Sequence, residues 1–111
     1  MNKYNAKKII IDDIKFDSKR ESEYYLIYKE KEQNGEIHNL RLQVPYVLID
    51  AYTNGECKKI REMKYVADFV YEDNENKTHV IDVKGIVLKE FKMKKKIFDY
   101  KYYPLYIEIV K

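Results

Sequence analysis

The chain predicts an α/β or α+β domain: a mixed central β-sheet flanked by helices, order α-β-β-β-α-β, behind an N-terminal β-hairpin. Two lysine- and glutamate-rich segments carry helix start or stop signals, runs rich in β-branched and aromatic residues lie around them, and polar turn residues separate the runs. A single domain over residues 1–111 is expected. Of these residues 45% are hydrophobic and 12 are tyrosine, enough for one modest core, while only 3 glycines and 2 prolines leave no internal boundary.

The elements follow in order. KKIII, the pair Asp12 and Asp13, and IKF read as a hairpin with acidic turn residues. Ser18 with Glu21 three residues later forms a capping-box pattern, and Gly35 after Asn34 suits a left-handed C-cap. The first helix should therefore run from about Lys19 to Gln33. Its cluster Tyr24, Tyr25, Leu26, Ile27 and Tyr28 is broader than one stripe, so cover by the sheet or by a partner chain is expected. LRLQV and YVLIDAY read as two strands, followed by an Asn54-Gly55 turn, a charged connection KKIREMK and a strand at YVADFVYE. After the polar turn DNENK comes THVIDVK, pairing with YVADFVYE as an antiparallel hairpin. A second helix spans roughly Glu90 to Tyr102, Pro104 stops it, and LYIEIV is a final strand.

Charge and cysteine usage narrow the setting. A charged fraction of 37% and a mean hydropathy of -0.68 sit beside enough aromatic residues to bury a core. The net charge of +3 implies no polyanionic partner by itself, but Lys84 to Lys111 holds eight lysines against Glu90, Asp99 and Glu108. Cys57 stands alone, and no apolar run approaches the ~20 residues of a membrane span. No membrane association and a cytoplasmic location are expected.

The chemistry centres on VIDVKG, residues 80 to 85. Strand side chains alternate, so Asp82 and Lys84 share a face. With the hairpin turn near Glu75, residues whose numbers sum to about 150 lie opposite, which sets Asp68 across from Asp82, on a side shared with Val66 and Val70. Carboxylates so placed destabilise a sheet unless compensated. One compensation is a salt-bridged patch with Lys84, worth roughly 0.2 to 1 kcal/mol. The other is a divalent cation held by Asp68, Asp82 and the backbone carbonyl of Val83, with Lys84 beside a bound water.

Asp68, followed after fourteen residues by Asp82-Val83-Lys84 on neighbouring strands, resembles the PD-(D/E)xK nuclease superfamily, whose core order is α-β-β-β-α-β. KFDSKRESEYY, LQVPY, KYVADFVY, VIDVKG and FKMKKKIF are similar to small phage-encoded members related to Holliday-junction resolvases. The resemblance implies Mg²⁺ or Mn²⁺ at Asp68, Asp82, the Val83 carbonyl and Glu21, with Lys84 as catalytic lysine and Gln43 nearby. Glu21 is also the capping-box glutamate, and Glu23 is the fallback on another helix face. Two positions depart from the pattern: Ala67 replaces the proline of the motif, and Leu88 stands where the phage relatives often carry a threonine.

Lysines of the second helix, Lys92, Lys94 and Lys96 foremost, are expected to meet DNA backbone phosphates. His38, His79 and Cys57 lack ligand or nucleophile spacing. The expected function is a Mg²⁺-dependent endodeoxyribonuclease acting on branched or junction DNA, as a homodimer whose interface the tyrosine-rich helix could supply. Competing readings are a catalytically silent DNA-binding accessory protein on the same scaffold and a structural ion-pair network.

Overall fold

The computed structural model describes residues 8–111. In chain order the elements are a hairpin of β1 (Ile9–Ile11) and β2 (Ile14–Phe16), helix α1 (Lys19–Gln33) and the long strand β3 (Ile37–Ile49). A short ribbon of β4 (Tyr52–Thr53) and β5 (Lys59–Ile60) leads to β6 (Met63–Asp73), β7 (Thr78–Val83), helix α2 (Lys89–Lys101) and β8 (Ile107–Val110). The main sheet has the order β3-β6-β7-β8 and is antiparallel except where β8 runs parallel to β7. The predicted α+β architecture, mixed sheet and N-terminal hairpin are all present. Lys7, the first residue of the predicted hairpin, lies outside the described residues.

Local chemistry accounts for the boundaries. Asp12 and Asp13 both take positive φ, 52° and 64°, the mirror-image turn that matches strand twist. The Asp12 carboxylate accepts from the Tyr25 hydroxyl at 2.7 Å, which ties the hairpin to α1 and pushes the tyrosine up to about 12. Ser18 caps α1 by accepting from Glu21 N at 3.1 Å. At the other end Gly35, at φ 76°, directs Glu36 N to Lys31 O and its own N–H to Glu32 O, the paired bonds of a Schellman close.

Two strand expectations are corrected. LRLQV and the first residues of YVLIDAY form one strand, β3, with Pro45 inside it. Proline donates no hydrogen bond, but β3 is an edge of the sheet and needs no donor on its free side. The connection KKIREMK is largely extended: Lys59–Ile60 pairs with Tyr52–Thr53, and Met63 and Lys64 open β6.

Two apolar clusters cover opposite faces of the sheet. Val80 packs with Phe91 and Phe98 of α2, whereas its neighbour Ile81 packs with Tyr25 and Tyr28 of α1. Phe98 is fully enclosed, edge-on to Tyr46 and Tyr65 and stacked on Tyr102, and its burial contributes about 2 to 3 kcal/mol. On α1 the tyrosines turn inward, leaving Leu26 and Ile27 exposed. Tyr25 and Tyr28 are buried in the domain itself, Tyr24 is half-buried, and the outward face of the helix is that of Leu26 and Ile27.

One irregularity decides where the site forms. Val44, Tyr46 and Leu48 join the α2 cluster, yet Leu40 and Leu42, also even-numbered, join the α1 cluster. A regular pleat keeps alternate residues on one face, so the phase of β3 changes between Leu42 and Val44. Gln43 supplies the change with a φ of 53°. On β6, Tyr65 and Ala67 join the α2 cluster and Phe69 and Tyr71 the other, so the phase changes at Asp68. Leu42 pairs with Phe69 and Val44 with Ala67, which sets Gln43 opposite Asp68 with the register intact on both sides.

At the far end of the sheet, His79 clamps the β6–β7 turn to β8. Its Nε2 meets Asp73 at 2.8 Å, its Nδ1 meets Glu108 at 2.6 Å, and its ring stacks on Tyr71 at 5.0 Å. Burial opposes the imidazolium charge, but the bonds to Asp73 and Glu108 outweigh it and raise His79, while the same contact holds Asp73 down to about 2. The share from raised His79 is fully present below its unfolded value near 6.5 and is lost as pH rises through the folded value. Asp73's share is lost only as pH falls from about 4 toward about 2. Urea denaturation should show wild type losing stability between pH 6 and pH 9 and His79→Gln losing much less; equal losses would remove this assignment.

Candidate functional site

The β6–β7 ladder runs from Glu72 opposite Thr78 to Phe69 opposite Ile81. The next pair would be Asp68 and Asp82, and there the ladder stops. Because Asp68 lies off the pleat, its Oδ2 accepts the Val83 N–H at 2.8 Å in place of a strand carbonyl. This corrects the expectation that Asp68 shares a side with Val66 and Val70. Val70 is fully buried on the α2 side and Val66 is 44% exposed, since the phase change falls between them. Asp82 stays on the regular pleat of β7, on the side of Val80.

Asp82 is 3% exposed, a costly place for a carboxylate. Its Oδ2 accepts from the Tyr65 hydroxyl at 2.7 Å, which leaves that phenol, buried and beside a negative charge, far above its usual range. Its Oδ1 is buried and receives no hydrogen bond. Lys84 Nζ stands 3.4 Å from that oxygen as an ion pair, and the same ammonium lies 4.7 Å from the centroid of the Phe91 ring. The Lys84 N–H bonds to Val110 O at 2.9 Å, so β8 fixes the backbone from which the lysine reaches.

Asp68 and Glu21 feel the same region. Burial raises Asp68 above the ordinary carboxylate range and the charge of Asp82 adds to this, while the Val83 N–H, the charge of Lys84 and the Gln43 side chain act in the opposite direction. Burial likewise raises Glu21, helped by the charges of Asp68, Asp17 and Asp82. Glu21 thus serves both readings: its N–H completes the cap on Ser18, and its carboxylate, 3.4 Å from the Ser18 hydroxyl, lies within the field of both aspartates. Glu23 points elsewhere and pairs with Arg20 at 2.9 Å.

The remaining predicted residues divide. Gln43 stands opposite Asp68, as its backbone geometry requires. Val83, whose carbonyl was expected as a ligand, ends β7 between the two key side chains. Of the three lysines, Lys94 lines a cleft of about 410 Å³ that opens on Asp82 and Lys84, while Lys92 and Lys96 are exposed elsewhere on α2. Tyr65 and Phe91 are the two contributors that sequence reasoning missed. The available signal was that a tyrosine in a core strand needs a partner for its hydroxyl; a buried Asp82 was the natural acceptor.

Whether a divalent cation fits can be judged from the donors. Among the described residues, no three His, Cys, Asp or Glu side chains form a ready-made ligand group. The fit rests instead on Asp82 Oδ1, a buried anionic oxygen without a donor, with further carboxylates near enough to perturb one another. Hard oxygens of this kind suit Mg²⁺ or Mn²⁺, which retain waters and need few protein ligands.

Fold and site together define an α+β domain with an acid-lysine cluster where two central strands part. The chain belongs to the DUF1064 family, described as a protein of unknown function, whose family model matches residues 1–111. No curated protein and no solved structure matches the chain. No helix among the described residues is long and apolar enough to cross a membrane.

The raised carboxyls carry a sign that can be measured. A carboxyl raised on folding adds stability fully below its unfolded value near 4, and that share is lost as pH rises through the folded value. Asp68→Asn keeps an acceptor for Val83 N–H and removes the charge. Without divalent cation, it should melt above wild type at pH 7, with the gap narrowing toward pH 5. Saturating Mn²⁺ should raise the melting temperature of wild type but not of Asp82→Asn, since a ligand of the folded state stabilises by mass action, about 2.7 kcal/mol at one hundred times Kd. Equal Mn²⁺ shifts in both proteins would remove Asp82 as a ligand.

Proposed function

We propose that this protein is a Mg²⁺- or Mn²⁺-dependent endodeoxyribonuclease that hydrolyses DNA phosphodiester bonds. The observation that carries the reading is Asp82 Oδ1: an anionic oxygen, buried and without a hydrogen bond, with an ammonium at 3.4 Å and a second aspartate on the neighbouring strand. A purely structural ion pair would gain from satisfying that oxygen, because an unpaired buried acceptor costs roughly 1 to 3 kcal/mol.

Asp82, Asp68 and Glu21 would hold the cation. When bound, it supplies polarisation of a phosphoryl oxygen and a more acidic water. Tyr65 fixes the rotation of the Asp82 carboxylate by occupying Oδ2, so that Oδ1 remains directed at the site. The Val83 N–H holds Asp68 in the same way. Lys84 brings its charge to where a phosphate would gain negative charge during attack, and its ammonium positions the attacking water. The aromatic ring beneath it restricts the lysine's reach. Lys94, at the cleft, meets the backbone of the bound strand, with Lys92 and Lys96 extending the positive surface.

Branched DNA, such as a four-way junction, is the preferred substrate on the resemblance to resolvases. Symmetric cutting would then call for two copies of the chain. A catalytically silent DNA-binding accessory protein is the second reading, favoured by the lack of a ready-made three-ligand group among the described residues.

Labelled four-way, nicked and linear DNA incubated with Mg²⁺ should be cut by wild type, with Asp82→Ala and Lys84→Ala each at least a hundredfold slower. Removing either residue deletes a direct participant, and losses of 10²-fold or more are usual for such groups. Equal cutting by all three proteins would overturn the assignment. Salt-sensitive binding without cutting under either cation would favour the silent reading.

A further inference from the structure

We propose that the cleft beside Asp82 receives an unstacked nucleobase from the strand being cut, so that the substrate is DNA unpaired or distorted at the cleavage point. The proposal rests on the phosphodiester reading above and adds what the neighbouring nucleotide must be. The cleft, about 410 Å³, is lined by the largely buried rings of Tyr65 and Phe91 and by Ile86 and Leu88, which are 76% and 66% exposed. Lys64 and Lys94 also line it, and its inner end is Asp82 with Lys84. Exposed apolar side chains set among cations, beside the acid-lysine cluster, match one nucleotide: the base against Ile86 and Leu88, the phosphates on the lysines.

Two details separate a base from bare backbone. Glu90 also lines the cleft, where it would repel a phosphate but can accept from the exocyclic amine of a base. Leu88 occupies the N-cap of α2, where no side chain bonds the helix end and serine, threonine, aspartate or asparagine would serve better. A local rule broken by an exposed apolar side chain that lines the cleft marks a position kept for contact rather than for folding. In continuous duplex every base is stacked on both sides, so only a nucleotide freed from its stack can enter.

The test uses the full chain, wild type and the double variant Ile86→Ser with Leu88→Ser, on duplexes carrying 2-aminopurine next to the cut, either continuous or with a three-nucleotide bulge. Binding is measured with Ca²⁺ and cutting with Mg²⁺. Wild type should bind the bulged probe at least tenfold tighter than the continuous one and change its 2-aminopurine fluorescence. The variant should melt no lower than wild type, keep its affinity for continuous duplex, and lose the preference to within twofold. If wild type cuts DNA but shows no preference, or the variant retains it, the base cleft is overturned and the nuclease reading stands. If wild type cuts neither probe, the nuclease reading fails, and this proposal with it.

Discussion

The arrangement depends on one substitution of partners in the sheet: the Asp68 carboxylate, not a strand carbonyl, takes the Val83 N–H. A sheet that stayed regular to its end would satisfy that N–H through the backbone and leave Asp68 on a face. Instead Gln43 and Asp68, opposite one another, each leave the pleat, and the register resumes unaltered beyond them. A non-glycine residue at φ 53° costs on the order of 1 to 3 kcal/mol, and such cost is tolerated where surrounding structure and function require it.

Several features follow from that fault. Because both β3 and β6 change phase there, β3 sends Leu40 and Leu42 to the α1 core but Val44, Tyr46 and Leu48 to the α2 core, while beyond the fault β6 places Phe69 and Tyr71 on the α1 side and Val70 on the α2 side. The same point ends the β6–β7 ladder and lets Asp82, still on the regular pleat, meet Tyr65 and Lys84. Glu21 arrives independently, from the capped first turn of α1. Burial, and after it the neighbouring acidic charges, raise Asp68 and Glu21, an arrangement that costs stability at neutral pH. At the opposite end His79 bridges Asp73 of β6 and Glu108 of β8.

Much of this was legible in the residues and part was not. Ser18 and Gly35 gave both ends of α1 because capping is local chemistry, and the turn near Glu75 gave the hairpin register because antiparallel pairing is arithmetic. LRLQV and YVLIDAY read as two strands, whereas Pro45 between them is tolerated within one because β3 is an edge, a property of the assembled sheet. The side of Asp68 was misread because nothing local in a glutamine marks a left-handed backbone. Tyr65 was invisible for a related reason: its bond to Asp82 joins residues on different strands and depends on burial of both. Residue types thus announced an acid-acid-lysine cluster, while the geometry that leaves one buried oxygen without a hydrogen bond came from tertiary packing.

We propose that this fault leaves Asp82 Oδ1, buried and without a hydrogen bond, as a ligand for a hard cation shared with Asp68. Crystals soaked in Mn²⁺ and measured at the manganese edge test it directly. An anomalous peak about 2.1 Å from Asp82 Oδ1, with Asp68 as a second ligand, is the predicted result. A map with no peak, in which Asp82 Oδ1 is instead satisfied by Lys84 alone, would contradict it.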